Sequence, residues 1–137
     1  MKVLSGITLA TALGLAGPAL AQAPNKAVAS PALQKEFEGF IARFRAALKA
    51  DDATAVAGMT QLPFLNNDSI RDAAQFRAKV YVPNFTAKNR ACIQRGKAVY
   101  DRDQLNNDNY FIFCGNLGFV FTKTPAGFLF TEVGAND

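Results

Sequence analysis

Between Leu33 and Leu48 the large apolar residues fall at i, i+4, i+7, i+8, i+11 and i+15: Leu33, Phe37, Phe40, Ile41, Phe44 and Leu48. Lys35, Glu36, Arg43, Arg45 and Lys49 lie mostly off that line. The spacing is that of one face of an α-helix. Ser30-Pro31 supplies its start, serine as N-cap and proline at the first helical position, where a missing N–H costs nothing. Three phenylalanines on one helical face cannot be left in water, so the remainder of the chain must build a broad apolar surface opposite them.

The period changes downstream. Asp51-Asp52 ends the first helix and caps a short second one through Ala53, Val56, Ala57 and Met59. Gln61 to Leu65 is expected to be extended, with Pro63 at an edge or a strand start, and Asn66-Asn67-Asp68 reads as a loop. Ser69 with Asp72 is compatible with a capping box before a helix carrying Ile70, Ala73, Phe76, Arg77 and Val80 up to Pro83. Residues 84–91 fit either a loop or one more short helix. Then Ala98–Tyr100, Tyr110–Cys114, Phe119–Lys123 and Phe128–Val133 are short aromatic and β-branched runs. Gly115-Asn116-Leu117-Gly118 and Thr124-Pro125-Ala126-Gly127 separate the last three, the second with turn residues suited to type I. Helices followed by a β-meander give an α+β fold.

Residues 1–21 have the order of a secretory signal: Lys2, an uncharged run from Val3 to Gly17, then small residues at Ala19-Leu20-Ala21 and Ala21-Gln22-Ala23. Cleavage is expected before Gln22 or Pro24. Residues 22–30 read as a flexible leader and 31–137 as one α+β domain. The expected address is the periplasm or the exterior, with no membrane span after cleavage. Without Lys2 the chain has 14 basic and 11 acidic residues, a net charge of +3. That is too mild an excess for a nucleic-acid-binding face. Cys92 and Cys114 are the only two cysteines, and in an exported chain they are expected to form a disulfide. The bridge closes a loop of about 23 residues, worth about 3 kcal/mol in the chain-entropy treatment.

What is missing narrows the chemistry. Without histidine there is no Ser-His-Asp or Cys-His catalysis and no histidine metal site. Paired cysteines leave no thiolate for zinc, no phosphate-binding glycine loop occurs, and no cofactor is implied. The run Asp101 to Asn109 departs from a calcium loop where specificity lies: Leu105, Asn106 and Ile112 occupy the positions of an oxygen ligand, the glycine and the bidentate glutamate. It reads as a solvated turn. Lys88, Arg90, Arg95 and Lys97 form a basic cluster around Cys92, suited to an anionic group or to a solvated face balanced by Asp101 and Asp103. For acid–base work only Tyr81, Tyr100 and Tyr110 with Asp101 or Asp103 stand out, and their spacing singles out no pair.

Alternation within strands sends successive side chains to opposite faces. Phe111 and Phe113 therefore share one face, and Tyr110, Ile112 and Cys114 the other. Both faces of the closing sheet carry apolar residues. If Cys92 lies on the helix side, Phe111 and Phe113 point outward and become the candidate interface, for a partner or a second copy.

The Phe-rich first helix, the passage Leu48-Lys-Ala-Asp-Asp-Ala53 into Leu62-Pro-Phe64, and the closing Phe119-Val-Phe-Thr-Lys-Thr-Pro-Ala-Gly-Phe128 resemble small exported bacterial proteins of the nuclear transport factor 2-like (cystatin-like cone) superfamily. The resemblance covers about residues 31–134, and Gly127-Phe128 stands where the superfamily usually has Gly-Trp. It implies N-terminal helices packed on a curved, cone-like antiparallel sheet, often around a conical pocket. The superfamily contains isomerases such as ketosteroid isomerase, dehydratases and binding modules, so fold alone does not assign function. None of the catalytic positions of those enzymes matches a residue here, so no catalytic residue is carried over. The expected function is a non-catalytic binding or interaction domain for a small apolar molecule or an envelope protein, with homodimerisation open. The alternatives are a small isomerase- or dehydratase-type enzyme with an Asp/Tyr pocket, and an inhibitor of an envelope enzyme.

Overall fold

The computed structural model describes residues 27–136. The signal segment and the first part of the leader, residues 22–26, lie outside the described residues. α1 (Pro31–Lys49) begins as the sequence predicts, with the Ser30 Oγ accepting from the Leu33 N–H at 3.1 Å. α2 (Ala53–Ala57) is capped by Asp52. Next come α3 (Ala73–Phe76), a π turn over Arg77–Tyr81, α4 (Val82–Asn84) and α5 (Ala87–Arg95), the last capped by Thr86. The chain closes with β1 (Val99–Arg102), β2 (Asp108–Cys114), β3 (Leu117–Thr124) and β4 (Gly127–Ala135). The four strands form one antiparallel sheet in sequence order, the predicted meander.

Helices cover one face of this sheet. Phe37, Phe40, Ile41, Phe44 and Leu48 are buried, while Leu33 is only partly covered because it sits one turn from the helix start. From the sheet come Tyr110, Ile112, Cys114, Phe119, Phe121, Phe128 and Phe130, all buried. Phe37 stacks on Tyr110 with ring centroids 3.8 Å apart, and Phe44 meets Phe121 edge-on at 5.0 Å. Phe64, Phe76 and Phe85 close around Phe130. Aromatic side chains thus occupy the space between α1 and the sheet, and edge-on rings add to what their area burial contributes.

Two local expectations are corrected. Residues 61–65 are not an extended run. Only Met59–Gln61 lies along β4, where the Phe130 N–H donates to Met59 O at 2.8 Å and the Gln61 N–H donates to Phe130 O at 2.9 Å. The chain then folds into a 3₁₀ turn, Phe64–Asn66, because Phe64 must drop into the core while the exposed Leu65 takes a left-handed φ of 55°. The helix before Pro83 does not stop there and is capped by Asp72, not Ser69. Its i→i+5 turn, closed by the Val82 N–H on Arg77 O, widens the helix just ahead of the proline ring, and α4 continues past it.

β4 carries a bulge. Val120 pairs with Glu132 and Phe121 with Phe130, leaving Thr131 as the extra residue. Bulges bend a strand and increase its twist, here over the α1 stripe.

Candidate functional site

Strand alternation divides β2 as expected. Phe111 and Phe113 point away from the helices, their rings parallel with centroids 5.9 Å apart. Phe113 is 46% exposed and Val99, on the neighbouring strand, 48% exposed. Phe113 lies opposite Gly118 in the β2–β3 register, and a Cβ on Gly118 would come within 3.3 Å of the Phe113 ring. The missing side chain lets the ring lie down against β3. A shallow groove of about 420 Å³ runs on one side of the Phe pair, past Val99 and Asp101. Another of about 320 Å³ runs on the other side, past Val120 and Glu132. Below this ridge the same face turns polar. The Thr122 hydroxyl donates to Asn109 Oδ1 at 2.6 Å and lies 2.8 Å from the Thr131 hydroxyl.

The Cys92–Cys114 disulfide forms, with Cα atoms 5.9 Å apart, inside the range such bridges need. It ties α5 to the end of β2. Arg45 reinforces that junction from α1, donating through Nε to Ile93 O at 2.9 Å and through Nη2 to Gly96 O at 2.6 Å. These are carbonyls at the end of α5 that have no partner within the helix.

The candidate acid–base residues do not meet as pooled. Tyr81 donates to Asp51 at 2.7 Å, Tyr100 donates to Asp108, and Tyr110 donates to Gln34. Asp101 bonds no tyrosine among the described residues. Asp103 is the hub of its own turn, accepting from the N–H groups of Leu105 and Asn107 and from the side-chain amides of Asn107 and Asn109. These donors, the backbone N–H of Asn107 foremost, hold its carboxyl below the usual range.

Asp51 is marked by the sequence as a helix end and not as a site residue. It ends α1 with φ 52° and stands at the rim of an open cleft of about 520 Å³ that also takes in Arg77, Tyr81 and Arg90. Burial, then the hydrogen bond to Asp51, pushes the Tyr81 phenol up to about 12. A phenol so placed keeps its proton near neutral pH and donates it to Asp51.

The basic cluster is divided in space. Arg90 faces Asp51 at 3.5 Å and donates to Phe85 O. Lys88 and Arg95 flank a groove beside the disulfide, and Lys97 lines another near Val28. Its balancing carboxylate is Asp51, not Asp101 or Asp103.

No helix among the described residues is long and apolar enough to cross a membrane. Among the described residues no group of three or more Cys, Asp or Glu is placed to hold a metal ion. No family model, curated protein or solved structure matches the chain.

Proposed function

We propose that this chain is an exported, non-catalytic binding domain of the nuclear transport factor 2-like kind, and that it engages its partner through the outer face of the sheet. The observation that carries the reading is the outward Phe111–Phe113 pair, its rings parallel, with Phe113 lying over Gly118 and 46% exposed. Phe113, left half in water beside a partly covered Phe111 on the same strand, is poorly explained by folding and well suited to contact. The disulfide supports an oxidising address, in keeping with the signal-like residues 1–21. The filled space between α1 and the sheet favours a surface contact over a ligand in a cone. The enzymatic alternative would rest on Tyr81 and Asp51, whose hydrogen bond already commits the phenol proton.

The test is site-specific photo-crosslinking in the envelope, with p-benzoylphenylalanine in place of Phe113 or, as control, Ala74 on the exposed side of α3. A discrete adduct from position 113 and none from 74 is expected. Equal adducts from both positions, or none from 113, would remove the reading. Intact-mass measurement of the exported protein should show loss of residues 1–21 or 1–23; a full-length cytoplasmic species would remove the address.

A further inference from the structure

Charge is distributed unevenly between the two halves of the molecule. Residues 31–97, the helical half, carry eleven Lys and Arg against six Asp and Glu, whereas residues 99–135 carry two against four. The outer sheet face is more one-sided still. The groove on one side of the Phe pair, which Ala27 also lines, contains Asp101, the groove on the other side contains Glu132, and among the described residues no Lys or Arg lines either. Glu36, Asp51 and Asp108 each face a cation. Asp101 and Glu132 form no ion pair among the described residues. In a chain whose net charge is positive, an aromatic ridge between two such carboxylates is the complement of a cation-bearing apolar surface.

We infer that the outer face binds a basic amphipathic segment of a partner protein, its apolar side on Phe111 and Phe113 and its Lys or Arg side chains reaching Asp101 and Glu132. The inference rests on the binding reading above and names the chemistry of the partner. Two other occupants fit less well. A second copy docked face to face would bring Asp101 and Glu132 of both copies into one interface, a like-charge arrangement that interfaces avoid. Strand addition to β1 would use an edge only four residues long that ends in Asp101-Arg102, the short, charged kind of edge that resists pairing.

The chain has no tryptophan, so a single Trp in a peptide reports binding without background. The probe is a synthetic amphipathic peptide of leucine and lysine bearing one Trp, compared with the same peptide carrying glutamate in place of lysine. The lysine peptide should bind the disulfide-intact protein with a blue shift, and added salt should weaken it. Asp101→Asn with Glu132→Gln should raise Kd about tenfold. Phe111→Ser with Phe113→Ser should abolish the shift, provided near-UV circular dichroism shows a native core in each variant.

If the glutamate peptide binds equally well, or the charge variant binds the lysine peptide unchanged, the cationic partner is overturned while the face remains a binding surface. If the Phe variant binds the lysine peptide like wild type, the face itself is overturned. A homodimeric adduct from position 113 would replace the basic segment with a second copy.

Discussion

Every tyrosine hydroxyl in the chain has a fixed acceptor: Asp51 for Tyr81, Asp108 for Tyr100 and Gln34 for Tyr110. All three phenols are pushed above their ordinary value of 10.0, Tyr81 and Tyr110 chiefly by burial and Tyr100 chiefly by its bond to Asp108. Raised values mean that the folded state favours the neutral phenols. Their contribution to stability is complete below about pH 10 and lost as pH rises through the folded values, about 12 for Tyr81. Absorbance titration at 295 nm on native protein at pH 10 should therefore show less phenolate signal than the denatured chain. Tyr81→Phe should flatten the loss of stability between pH 10 and 12; an unchanged alkaline melting profile would contradict the assignment. None of these pairings was legible in the sequence. Tyr81 and Asp51 are thirty residues apart, and they meet because the left-handed backbone at Asp51 returns the end of α1 toward the π turn, a geometry that no local pattern encodes.

Among the elements, those defined by repetition were readable: the α1 stripe, its Ser30 cap, and strands whose alternation placed Phe111 and Phe113 on the face opposite Cys114. Elements shaped by one residue's need for the core were not. Phe64 pulls an otherwise extended run into a 3₁₀ turn, and the π turn lets a helix survive Pro83. The outer face was half legible. Its aromatic ridge follows from parity, but the flanking of that ridge by Asp101 and Glu132 depends on register and on the β4 bulge. At this scale the disulfide is the fastening between α5 and β2. Cys92→Ser should lower the free energy of unfolding by about 2–5 kcal/mol, as for bridges in small secreted domains. Chemical denaturation checks it, and a loss under 1 kcal/mol would mean that the Arg45 and Gln94 hydrogen bonds and the burial of Ile93 hold α5 in place without the bridge. Arg45, placed off the apolar stripe in the sequence, serves two carbonyls at the end of α5, a role visible only once α1 and α5 lie side by side.

For the molecule as a whole, one hydrophobic core joins α1 to β4, and the two ends of that core are far apart along the chain. Phe37 and Phe40 rest against Phe128, and Phe44 against Phe130. A chain ending at Ala126 would lack β4 and should lose cooperative folding, seen as a broad thermal transition and binding of a hydrophobic dye; a sharp native-like transition would show that β1–β3 suffice. The same arrangement sets a clock during biosynthesis. The meander pairs neighbours and can zip up locally, but α1 leaves the ribosome about eighty residues before Phe128 and Phe130, the last of the rings that cover it. Throughout that interval its phenylalanine stripe is a ready target for chaperones and for unwanted contacts. Arrival of Phe128 and Phe130 closes the core, so the nascent chain cannot complete its fold, and escape recognition as unfolded, until its final strand has emerged.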